Sequence, residues 1–142
     1  MSDRVKHFVD TLKRWQGLER QAMTDTTELV EQTENPLVRL IMEIIRHDSL
    51  MHHRVQQFLI DSVTKENVTV SREDVAEIWE KIEEHDRLEK KTISLAEELK
   101  ANSWNPIHTQ LLDYLLNDEQ KHDRLLGQLD SIKAGMSLAS GG

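Results

Sequence analysis

A shift of 70 residues carries Asn35-Pro36 onto Asn105-Pro106, and in that register the two halves of the sequence align without a gap. Val5 falls on Val75, Leu18 on Leu88, Glu19 on Glu89, Glu28 on Glu98 and Leu29 on Leu99. Asp48 falls on Asp118, His52 on His122, Arg54 on Arg124 and Leu59 on Leu129. Self-similarity at one fixed period means that the chain repeats a single supersecondary unit. The Asn-Pro pair defines that unit. Asn caps a helix, and Pro suits its first position, where the missing N–H has no intrahelical acceptor. Each half therefore reads as a helix, a short turn and a second helix.

The apolar spacing predicts four helices in all. The first begins at Ser2 or Asp3 and places Val5, Phe8, Leu12, Trp15, Glu19, Ala22, Thr26 and Leu29 on one face. The second follows Asn35, carries Leu37, Ile41, Ile44, Asp48, His52, Val55 and Leu59, and ends near Ser62 or Val63. A linker with strand-like residues leads to Ser71, which starts the third helix with Asp74 in an approximate capping-box position. Its stripe is Val75, Ile78, Ile82, His85, Glu89, Ile93, Ala96 and Leu99. The fourth helix reaches Ile132 or Lys133 along Ile107, Leu111, Leu115, Leu125, Leu129 and Ile132, with His122 inside that stripe and Glu119 at its margin. Trp15, Trp79 and Trp104 are expected to anchor the packing. The expected fold is all-α: a four-helix bundle built from two duplicated helical hairpins, about residues 3–63 and 71–133. It forms one domain over 1–134, followed by a flexible tail over 135–142.

Composition narrows the functions. A net charge of −8 without a Lys/Arg cluster disfavours a nucleic-acid surface. The sequence has no Cys, which excludes disulfides, thiolate metal sites and Cys nucleophiles. Its five Gly form no phosphate-binding loop, and nothing supports a serine nucleophile. The first residues lack the apolar run of a signal peptide and no apolar segment approaches membrane-spanning length, so a cytoplasmic location with no membrane partner is expected.

Polar residues interrupt the apolar stripes at matched positions. Glu19 lies 16 residues before Asn35 and His52 lies 17 after it, so both stand roughly 24 Å from the turn of a hairpin roughly 40 Å long. Glu89 and His122 repeat this in the second half. Glu119-x-x-His122 puts a carboxylate and an imidazole on one helical face. Glu19, Asp48, His52, Glu89, Glu119 and His122 are thus the expected metal ligands, with His85 and Asp118 behind them. His7, His47, His53 and His108 read as surface or boundary residues. Without a metal, the same layer would be a hydrogen-bonded polar network that fixes the register of the hairpins. Converging carboxylates favour a cation between them.

A Glu from each of two helices and a Glu-x-x-His motif resembles the ferritin-like superfamily, in particular its rubrerythrin-like di-iron branch. Glu19, Glu89, Glu119 and His122 match the pattern over about residues 3–133; Ser49 stands where a further Glu belongs, with Asp48 beside it as a substitute. The resemblance implies a dinuclear iron site with two ions per chain, oxidation of Fe(II) or other redox chemistry with oxygen or peroxide, and a separate reductant. Manganese and zinc also suit the ligand types. Homo-oligomers are common among such bundles. His85-x-x-x-Glu89 bears a weaker resemblance to hemerythrin-like oxygen binders. A non-catalytic module for metal storage, sensing or protein interaction is the alternative of a different class.

Overall fold

The computed structural model describes residues 1–66, 68, 70 and 72–141, the side chains of 72 and 133–141 excepted. The described residues are all-α, in five helices: α1 (Asp3–Gln32), α2 (Pro36–Thr64), α3 (Arg72–Ala76), α4 (Trp79–Ala101) and α5 (Pro106–Gly141). The chain divides into two compact units, Met1–Val68 and Thr69–Gly142. No helix among the described residues is long and apolar enough to cross a membrane.

The first unit is a hairpin of α1 and α2. Ser2 Oγ caps α1 by accepting from the Val5 N–H at 3.2 Å. At the turn, Asn35 Oδ1 accepts from the N–H groups of Leu37 and Val38 at 3.0 and 3.2 Å, satisfying donors that have no partner inside the helix. In the second unit α4 and α5 form a hairpin, with short α3 packed on α5. Its turn uses the same device: Asn105 Oδ1 accepts from Ile107 at 2.9 Å and from His108 at 3.5 Å.

Each hairpin is closed along one narrow seam whose positions advance by alternating steps of four and three. On α1 these are Val5, Val9, Leu12, Gln16, Glu19, Met23 and Thr26, and on α2 Ser49, His53, Gln56 and Ile60. On α4 they are Ile82, Asp86, Glu89, Ile93 and Ala96, and on α5 Leu112, Leu116, Glu119, Asp123 and Leu126. From Leu12 to Thr26 the α1 positions map onto the α4 positions at the 70-residue shift, as Ser49, His53 and Gln56 map onto Glu119, Asp123 and Leu126. The step pattern is that of knobs-into-holes packing between two long helices. Six of the eleven positions of the first seam and four of the ten of the second are polar. Among the described residues, Val9, Leu12 and Ile60, with Val5 against them, form an apolar core cluster.

The expected stripes share the seam on α1 and α4, through Leu12, Glu19, Thr26, Ile82, Glu89, Ile93 and Ala96, and run one position off it on α2 and α5. Phe8, Trp15, Leu29, Ile41, Val55 and Leu59 are exposed, and so are Ile107, Leu115, Leu125 and Ile132. A 3.6-residue pattern finds the whole apolar face of a helix, whereas one partner helix covers only a strip of it. Trp104 is 88% exposed and Trp15 also faces solvent, so neither anchors a core.

Two boundaries differ from the expected ones. The expected third helix breaks into α3 and α4 at Glu77–Ile78, where the Ile78 N–H bonds to the Val75 carbonyl at 3.2 Å, a tightened turn. Its expected cap, Ser71, lies outside the described residues. The helical backbone of α5 continues beyond Lys133 to Gly141, over most of the stretch expected as a tail.

Candidate metal centre

The seam of the second hairpin brings Glu89 of α4 against Glu119 of α5, with His122 one turn further along α5. One donor atom from each of the three lies within 4.8 Å of the other two. His122 Nδ1 stands 3.6 Å from Glu89 Oε2 and 4.0 Å from Glu119 Oε2. Its other nitrogen, Nε2, is 3.5 Å from Asp118 Oδ2. Asp118 on that side favours a proton on Nε2, which leaves Nδ1 as the lone-pair atom turned toward the carboxylates.

Glu89 is the deepest member, with its side chain 9% exposed. His85 Nε2 donates to Glu89 Oε1 at 2.8 Å. The second oxygen, Oε2, is buried and makes no hydrogen bond. Glu119 Oε2 lies at 2.8 Å from the Thr92 hydroxyl, which also reaches the Glu89 carbonyl oxygen at 2.7 Å. That hydroxyl has one proton for two acceptors. An open depression lined by His85, Glu89, His122, Leu125 and Leu126 leads to the group from solvent.

Two facing carboxylates cannot both ionise without cost. The side-chain interaction with Glu119 raises the Glu89 carboxyl above its ordinary range; burial and the Glu119 charge push the same way, against His85 and His122. Glu119 is lowered, first by that same interaction and then by Thr92.

The first hairpin brings together less. His52 Nδ1 lies 3.2 Å from Glu19 Oε2, at the shared height expected from the spacing. Glu19 Oε2 is buried and likewise makes no hydrogen bond. Asp48 is half-buried, but among the described residues no third acidic or imidazole group joins this pair within 4.8 Å. Ser49, at the position of Glu119, is buried in the seam.

Thr92, His53 and Asp123 are site neighbours that the sequence does not single out. His53, read as a surface or boundary residue, is half-buried, with Nε2 3.1 Å from Arg20 Nη1. Its counterpart Asp123 meets the counterpart of Arg20, Lys90, at 3.3 Å. The signal for His53 and Asp123 is the four-three seam, which runs through polar residues.

No family model matches the sequence, and comparisons with curated proteins and with solved structures find no match.

Proposed function

We propose that this chain is a metal-binding helical protein in which Glu89, Glu119 and His122 hold a divalent transition-metal ion. The observation that carries this reading is Glu89 Oε2: a buried carboxylate oxygen without a hydrogen bond, facing a second carboxylate and an imidazole nitrogen. A cation between them would relieve the repulsion and give the orphaned atom a partner.

Two oxygen donors and one nitrogen donor suit iron, manganese or zinc. Iron is the ion that the ferritin-like resemblance favours, and the activity proposed is oxidation of Fe(II) by oxygen or peroxide. When bound, iron supplies the electron that the oxidant accepts. The chain's own residues bind and orient: Glu89 and Glu119 provide charge, His122 presents Nδ1, and His85, Thr92 and Asp118 hold the three in place. The two hairpins are proposed to be copies of one unit of a four-helix bundle. Shared Asn-Pro caps and a shared seam register support the duplication.

The test is metal content. Protein loaded anaerobically with Fe(II) and desalted should retain iron, and Glu119→Ala and His122→Ala should lose it with the helical signal intact. Oxygen uptake with ferric absorbance on aeration would establish the redox activity. Retained iron with no oxygen consumption would favour metal storage or sensing instead. Retention of neither iron, manganese nor zinc would sink the metal reading altogether.

A further inference from the structure

The two hairpins share a seam but differ where the candidate centre lies, and every difference points the same way. Across the second seam Glu89 faces Glu119; the matching positions in the first are Glu19 and Ser49. The Thr92 hydroxyl beside Glu119 becomes the methyl of Ala22. The His85 ring that holds Glu89 becomes Trp15, which is exposed.

We propose that the second hairpin binds one divalent cation by itself, and that the first hairpin is a metal-free version of the same architecture. This rests on the metal-binding reading above and adds to it the stoichiometry and the reason for it. Ser49 removes the carboxylate that would oppose Glu19, so the first seam carries no pair of like charges for a cation to bridge. Glu19 keeps His52 Nδ1 at 3.2 Å as its companion. Next to them Arg20 sits 3.1 Å from the His53 ring, adding a fixed positive charge that repels a metal ion. The corresponding Lys90 is drawn to Asp86 and Asp123 instead.

The second hairpin has what a cation needs within one unit. Its three donor atoms come from two adjacent helices, the Glu89 side chain is more than nine-tenths buried, and the unpartnered Oε2 is turned into the group. Three protein donors leave coordination positions for water or an oxidant. The dinuclear centre implied by resemblance required a fourth carboxylate at position 49, and that position holds Ser49.

The experiment is a cobalt(II) titration of the full chain, read by the visible band of bound cobalt and by metal content after desalting. Wild-type protein should bind about one cobalt per chain. Glu19→Ala and His52→Ala should keep it, whereas Glu119→Ala and His122→Ala should lose it. About two cobalt ions in the wild type, or loss of bound cobalt in Glu19→Ala or His52→Ala, would overturn the single-hairpin inference and leave the metal reading standing. No cobalt uptake at all would overturn both. The sharper variant is Ser49→Glu with Ala22→Thr, which should add a second cobalt. A helical double variant that still binds one would show that Ser49 is not what disables the first hairpin. The Glu19→Ala and His52→Ala stoichiometries decide the question whether or not the double variant folds.

Discussion

Two layers of the second seam, one turn apart, each set a carboxylate of α4 against a carboxylate of α5. Asp86 faces Asp123, and Lys90 bonds to Asp86 and reaches Asp123 at 3.3 Å. Glu89 faces Glu119, and among the described residues no Lys or Arg forms an ion pair with either. The first layer contains its own cation. The charges respond accordingly: Asp86 is lowered, through its hydrogen bond with Asp123 and then Lys90, and Lys90 is raised by Asp86 and Asp123. In the second layer Glu119 is likewise lowered by its partner, while Glu89 is raised by Glu119 and by burial. In one layer a lysine reaches both carboxylates; on the proposed reading, a metal ion would do the same for the other.

The largest effect should come from emptying that layer of its donors. Glu89→Ala or His122→Ala should weaken metal binding by well over 100-fold, beyond the 10–100-fold typical of losing only a supporting hydrogen bond. Lys90→Ala should leave metal stoichiometry unchanged while lowering the melting temperature. If Lys90→Ala abolished metal binding as completely as Glu89→Ala, the two layers would be one network and the comparison would break.

Thr92→Val comes next. The branched side chain keeps the shape and removes the hydroxyl that steadies Glu119, so cobalt affinity should fall about tenfold, at the lower end of supporting-residue effects. Unchanged affinity would mean that the hydroxyl serves only the Glu89 carbonyl. Ala22→Thr alone should have no effect on metal binding, because Ser49 leaves it nothing to orient.

Much of this architecture is legible in the sequence. The Asn-Pro caps, the hairpins and the shared height of Glu19 and His52 follow from helical periodicity and chain arithmetic. What is not legible is the helix face that meets its partner. Apolar spacing points to Phe8, Trp15, Val55 and Leu125, all exposed, whereas the seam, besides the expected Glu19 and Glu89, runs through Gln16, Ser49, Gln56 and Glu119. A seam with so many polar members is hidden from a search for hydrophobic stripes. The 70-residue repeat carries the missing information, because it aligns the odd polar residues as well as the turn. Thr92 escaped notice for a related reason: its role depends on a carboxylate from the neighbouring helix, which no local pattern records.

The two turns offer a symmetric control. Asn35 and Asn105 each accept from two backbone donors. Asn35→Ala and Asn105→Ala should each cost about 1 kcal/mol in chemical denaturation. Neither should alter the number of bound ions. A loss of metal in Asn105→Ala, without unfolding, would tie the centre to the turn rather than to the seam.

The smallest effect expected is a pH dependence confined to the Glu89 layer. With its folded carboxyl raised, Glu89 binds its proton more tightly in the folded than in the unfolded chain. As pH rises past the ordinary carboxylate range, the unfolded chain loses that proton first, so this group takes stability away from the metal-free protein. Glu119 is lowered and works in the other direction, its contribution fading as pH falls. Glu89→Gln removes the raised group and gives Glu119 an uncharged neighbour. The metal-free variant should therefore be more stable than wild type above the carboxylate range, and the advantage should shrink as the pH drops through it. Saturating metal should reverse the order at neutral pH, since the ion stabilises only a protein that can bind it. Urea denaturation across pH, with and without cobalt, measures both. A Glu89→Gln protein that tracked wild type at every pH would mean that Glu119 does not raise the Glu89 carboxyl, and that the two layers of the seam differ less than their geometry implies.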